Sequence, residues 1–162
     1  MWERLVGVLA DMLELYRELL AISNKKHEVL VKARTVELDA LTKQEELLII
    51  QIGKLETVRE TVLQEIAAAA HIAGESVTIA RLVELADEKF SARLHELWQQ
   101  LSQVTGELKE INGQNTKLID QALFFVNYNL NILTQNAIGP TYAAKGQEGQ
   151  AARASKLIDR KV

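Results

Sequence analysis

Cysteine is absent from this 162-residue chain. That excludes a disulfide framework, thiolate chemistry and cysteine metal ligands, and it fits a reducing compartment. Proline occurs once, at Pro140. Nothing before it carries proline's missing donor and ring clash, so almost the whole chain is free to be helical. Aromatic residues make up 5% of the chain, which leaves its apolar surface to aliphatic side chains. Long apolar runs are missing as well. No segment reaches the roughly 18 residues that a membrane span needs. The opening Met1-Trp2-Glu3-Arg4, followed by Asp11, Glu14, Arg17 and Glu18, does not read as a signal peptide. A net charge of −3 gives no reason to expect a nucleic-acid or acidic-membrane partner.

What is present is helix-forming material. Leu, Ala, Glu, Lys and Gln dominate, all good helix formers. Hydrophobic residues at 48% suffice for one core. A first helix is expected over residues 2–33. Its stripe is Leu5, Val8, Met12, Leu15, Leu19, Ile22 and Val29, widened by Leu9, Tyr16 and Leu30. A stripe this wide suits a helix facing more than one neighbour. Lys26 falls on it, with its stem expected to reach for water. A join near Arg34–Asp39 has Thr35 or Asp39 as candidate caps, although one continuous helix through residue 38 also fits. A second helix is expected over 36–70, with Leu38, Leu41, Leu48, Ile52, Leu55, Val62 and Ile66 in phase. Glu45 and Arg59 share that phase. They lie about 21 Å apart on one helix, so they are expected to face water rather than each other. Gly74 marks an end. Ser76 or Thr78 caps a short connecting helix over 78–86.

The last helix, expected over 88–137, carries the longest pattern. Phe90, Leu94, Leu97, Leu101, Val104, Leu108, Ile111, Asn115, Leu118, Ala122, Phe125, Asn129, Ile132 and Asn136 alternate spacings of three and four. With Leu94 at heptad position a, the pattern holds for six heptads, which specifies a long helix with a left-handed supercoiling tendency. Leu94, Leu97, Leu101, Val104, Leu108, Ile111, Asn115 and Leu118 are read as the seam holding the helices together. Gly106 and Gly113 fall at f, as tolerated surface glycines or as points of bending or close approach.

Catalytic and metal-binding patterns do not emerge. His27, His71 and His95 have no second histidine at helical spacing. The glycines Gly146 and Gly149 lack the lysine and the preceding strand of a phosphate loop. No serine, histidine and acid sit near a strand-to-helix elbow. Neither an enzyme nor a cofactor or metal requirement is expected.

The polar residues on the last helix are more informative. Asn115, Asn129 and Asn136 all occupy a, where asparagine fixes register at a cost in stability. Asn127 and Asn131 flank Asn129, while Phe124, Tyr128 and Leu130 lie off the main stripe. This end is therefore apolar on more than one face, and either the chain itself or a partner must cover the second. Aromatics supply area and amides supply direction in recognition. After Gly139-Pro140 the pattern stops. The final 24 residues carry five basic and two acidic side chains, +3, against −6 for the rest. They read as a mobile tail, able to order on a partner.

The chain resembles flagellar export chaperones of the FlgN type. The resemblance rests on Leu5, Leu9, Met12, Leu15, Leu19 and Leu20, then Lys32 to Leu41, Glu45-Glu46-Leu47-Leu48 and Thr78-Ile79-Ala80-Arg81-Leu82. It continues through Ile111, Asn115, Leu118 and Ile119 into Phe125, Asn129, Ile132 and Leu133, with Tyr142 and Gly146 in the tail. It implies a cytoplasmic type III secretion chaperone. Such a protein binds C-terminal helical segments of hook–filament junction proteins, keeps them soluble and unassembled, and aids their delivery to the flagellar export apparatus. It also implies a binding region at Asn129, Ile132, Leu133, Asn136 and Tyr142, to which the residue pattern adds Phe125 and Tyr128.

The expectation is thus all-α: an elongated antiparallel helical bundle or coiled coil of three long helices and one short connector. The bundle domain is residues 1–138, and the tail is 139–162. A client-free chain is open to homo-oligomer formation. The rival reading is a structural or adaptor coiled-coil protein that homodimerises through its long last helix.

Overall fold

The computed structural model describes residues 1–71 and 79–137, with the backbone alone for 79, 80 and 135–137. It is an all-α bundle with elements α1 (Trp2–Val31), α2 (Thr35–Ala69), α3 (Ile79–Leu85) and α4 (Glu88–Ala137). The chain divides into two compact units, Met1–Ala122 and Leu123–Val162. Gly74, Ser76 and Thr78, expected to end one helix and cap the next, lie outside the described residues, as does the segment from residue 138 onward.

In the first unit α2 runs antiparallel to α1. Arg4 meets Glu65 near one end, at 3.1 Å, and Lys26 meets Glu45 near the other, at 2.5 Å. α4 runs parallel to α1. Arg17 donates to Gln100 at 2.8 Å, and farther along both helices Asn115 donates to the Ser23 carbonyl at 2.9 Å.

The reversal between α1 and α2 uses no glycine. Ala33 takes a left-handed conformation, φ 53°. The Arg34 N–H bonds the Val29 carbonyl and the Ala33 N–H bonds the Leu30 carbonyl, both at 3.1 Å. These two bonds satisfy carbonyls that the helix end leaves without partners, the usual arrangement around a left-handed residue. Neither Thr35 nor Asp39 caps α2. Arg34 holds the cap position without a side-chain bond and reaches forward to Glu37. α2 ends in the same way at His71, φ 55°, whose N–H bonds the Ala68 carbonyl. At the start of α4, the Asp87 carbonyl accepts from Phe90 and Ser91, both at 2.9 Å.

Three-residue and four-residue spacing brings the apolar stripes together. One cluster holds Leu5, Leu9, Met12, Val62, Ile66, Leu82, Leu94 and Leu97, so every described helix contributes. A second, farther along, joins Leu19, Leu48, Ile52 and Leu108. Each such side chain contributes on the order of 1.5–3 kcal/mol by leaving water. Beyond the second cluster the interior turns polar around Ser23, His27 and Asn115.

Candidate functional site

The seam residues are graded in burial. Leu94, Leu97, Val104, Leu108 and Asn115 are buried, while Leu101, Ile111 and Leu118 are half-buried. Trp98 and Ile119, one position off the seam, are exposed. Trp98 flanks a cleft of about 180 Å³, lined also by Leu5, Leu9, Arg59, Leu63, Leu82 and Leu101. Its one charged group, Arg59, is already paired with Glu56.

Asn115 is 4% exposed, and both its amide nitrogen and its amide oxygen have a partner. Its Nδ2 donates to the Ser23 carbonyl, and its Oδ1 lies 3.0 Å from His27 Nδ1. A buried amide without partners would cost several kcal/mol, so this α4 position accepts only an α1 register that supplies both groups. The Ser23 hydroxyl, in a residue 0% exposed, has no hydrogen-bond partner among the described residues.

Two charges that interrupt the apolar stripes of α1 and α2 answer each other. Lys26 and Glu45 form an ion pair whose side chains are 14% and 15% exposed. Each sequence anomaly is explained only by the other, nineteen positions away. Arg59 instead pairs with Glu56 on its own helix. The Arg59 guanidinium holds the Glu56 carboxyl below its ordinary range, and burial opposes that effect. Burial pushes the Tyr16 phenol up; the Glu56 charge adds to this and Arg59 counters it.

His71 and His95 are exposed. Among the described residues no group of three His, Asp or Glu side chains is placed to hold a metal ion, and no helix is long and apolar enough to cross a membrane.

The second unit differs in kind. From Leu123 to Leu133 α4 exposes eight large apolar side chains. Phe124 is 74% exposed, Phe125 65% and Leu133 64%, and Tyr128 and Ile132 are also in water. Asn129 is half-buried, and its Nδ2 donates to the Phe125 carbonyl of its own helix at 2.9 Å. Its amide is therefore partly occupied by the backbone, as asparagine within a helix tends to be. The side chain of Asn136 and the whole of Tyr142 lie outside the described residues.

No acidic or basic side chain occurs from Gln121 to Ala144. Elsewhere charges punctuate every helix. Within the uncharged stretch, residues 123–134 are exposed apart from half-buried Asn129, and a contiguous exposed apolar patch without charge makes this end of α4 a candidate interaction surface. Exposed apolar side chains also occur on α2, at Leu47, Ile49 and Ile50. There they are interspersed with Glu45, Glu46 and Lys54.

Residues 1–150 match the family described as FlgN protein. The uncharacterized protein YvyG of Bacillus subtilis is 27% identical over 146 residues, covering 88% of this chain and 86% of that protein. No solved structure matches the chain.

Proposed function

The chain belongs to the FlgN family, and from that premise we propose that it is a secretion chaperone for hook–filament junction proteins. It holds the C-terminal helical segments of those subunits before export, keeping them soluble and unassembled, and hands them to the flagellar export apparatus in the cytoplasm. The family and the helical fold support a chaperone-like role in general. The observation that carries the finer reading is the exposed, uncharged segment of α4 from Leu123 to Leu133.

The mechanism is helix packing without a chemical step. A client segment with an apolar stripe polymerises or aggregates when left in water. Laid against α4 it buries that stripe, with a return of about 25 cal/mol per Å² of apolar area before ordering costs are subtracted. Phe125, Tyr128, Ile132 and Leu133 supply area. The amides of Asn129 and Asn136 penalise clients that leave them without partners. The binding step needs no nucleotide, metal or cofactor. The segment around Tyr142 is proposed to add to the surface once a client is present.

The test is direct. The full chain is mixed with the hook–filament junction protein encoded in the same genome, and the complex is sized and weighed by light scattering. A one-to-one complex is expected, lost in the double variant Ile132→Asp/Leu133→Asp. Because both side chains already face water, the variant should keep its melting temperature to within a few degrees. A chain that dimerises at low micromolar concentration and ignores the junction protein would support the adaptor reading and overturn this one.

A further inference from the structure

The exposed end of α4 has two apolar rows rather than one. Leu123, Val126, Leu130 and Leu133 follow a three-four-three spacing and form the first. Phe124, Tyr128 and Ile132 follow a four-four spacing and, with Phe125 beside them, form the second. At about 100° per residue, the centres of the two rows lie roughly 160° apart around the helix. Polar edges separate them. Asn127, Asn131 and Thr134 line one edge, and Asn129 lines the other. The Thr134 hydroxyl and the Asn129 amide each bond their own helix backbone, at 3.0 and 2.9 Å.

A helix that packs against one neighbour carries one apolar stripe. Opposed stripes describe a helix held between two neighbours. The geometry points to a partner that supplies two helices, an antiparallel hairpin of one client chain straddling α4 between Leu123 and Leu133. This rests on the chaperone reading above and specifies what the client must bring: two amphipathic segments about three turns long, with uncharged apolar faces.

Two nearer occupants fit less well. The chain's own residues 139–162 hold only Tyr142, Leu157, Ile158 and Val162 as large apolar side chains, and they carry seven charges. Only Leu157, Ile158 and Val162 lie near one another in sequence, too few for a four-residue row, and α4 beyond Asp120 offers no charge to meet theirs. A second copy of the chain, pairing symmetrically, sets one row against its own equivalent and leaves the opposite row in water. A two-helix client covers both rows. It also explains why neither row has a charged member: a charge sandwiched between helices has no outlet to water, and burying it unpaired is costly.

Because the chain has no cysteine, an introduced one is its sole thiol. Full-length Tyr128→Cys, Leu130→Cys and Asn127→Cys variants report on the second row, the first row and a polar edge. Each is alkylated with and without saturating junction protein from the same genome, and complex formation is followed in parallel by size-exclusion chromatography. Burial of both rows should slow alkylation at residues 128 and 130 by about tenfold or more and leave residue 127 within about twofold. Affinity should change by less than about threefold between low and high salt, because no ion pair forms across the contact.

Protection of one row alone would reduce the client to a single helix and overturn the inference while leaving the chaperone reading intact. Protection of both rows without client would assign them to the chain's own tail or a second copy. A complex that protects neither row would move the client elsewhere on the protein. Absence of any complex would remove the functional reading together with this one. Steep salt dependence would refute an uncharged client face.

Discussion

Lys26 on α1 and Glu45 on α2 meet at 2.5 Å, with both side chains about 85% removed from water. Each, taken singly, is a charge in the phase of an apolar stripe. Together they are one polar contact between two antiparallel helices, and the low exposure of both makes the contact stronger than a surface pair.

Removing one partner should therefore cost more than removing both. Lys26→Met or Glu45→Leu alone should destabilise by about 1–3 kcal/mol, because the remaining charge loses its counterion in a poorly hydrated site. The double variant Lys26→Met/Glu45→Leu should fall within about 1 kcal/mol of the native chain, the charges being replaced by apolar surface. Urea unfolding of the four chains gives the coupling. Additive single effects would mean that the pair is effectively solvated.

Asn115 and Ser23 should respond in opposite directions. Asn115→Ala leaves a void and removes the donor to the Ser23 carbonyl and the partner of His27, so a loss of about 1–3 kcal/mol is expected. Ser23→Ala removes a fully buried hydroxyl with no partner among the described residues and should stabilise by about 1 kcal/mol. Thermal melts decide both. A destabilised Ser23→Ala would reveal a bridging water on the hydroxyl.

The Tyr16–Glu56–Arg59 cluster sets pH limits on stability. Glu56 has its pKa lowered, first by the hydrogen bond from Arg59. Its stabilising effect is present above the ordinary carboxylate range and lost as pH falls through the depressed value. Glu56→Gln should flatten the acid limb of a stability profile, by a modest amount because the side chain is 41% exposed. Tyr16 has its pKa raised, first by burial. The folded chain holds that proton longer than the unfolded chain, so stability is full below the ordinary tyrosine range and declines above it. Tyr16→Phe should flatten the alkaline limb alone. Denaturant midpoints across the pH range check both.

Helix ends and outer faces leave room for stabilisation. Ala33 sits at φ 53°, where a Cβ costs about 1–2 kcal/mol. Ala33→Gly should raise stability by about 0.5–1 kcal/mol after the added chain entropy is subtracted. At Gly106 and Gly113 a Cβ would meet nothing within 4 Å. Each glycine→alanine change should add about 0.4–1 kcal/mol, read as higher urea midpoints at unchanged slope. A loss at either glycine would mean that the open outer face is needed for close approach of a partner.

The sequence by itself determined the class of the fold. One proline, abundant helix formers and stripes at three-four spacing left helices packing on helices as the outcome, because each stripe must leave water against another. The buried members Leu5, Met12, Leu48, Ile52, Leu94 and Leu97 were legible from periodicity alone, since that period places them on one face. The uncharged run from Gln121 to Ala144 can also be read off the chain.

Tertiary structure decided what periodicity does not encode. Pairings across helices are one such matter: Lys26 with Glu45, and Asn115 with Ser23 and His27. A residue's phase gives its face but not the residue opposite. The reversal at Ala33 is another. It has no glycine signal because two backbone hydrogen bonds from Ala33 and Arg34, rather than side-chain preference, hold the left-handed turn. The last is the contrast along α4. The heptad pattern runs unbroken from Leu94 through Ile132, yet Leu94 and Leu97 are buried while Phe125 and Ile132 are exposed. The repeat specifies a surface able to pack, and only the three-dimensional arrangement determines whether the chain itself supplies the neighbour.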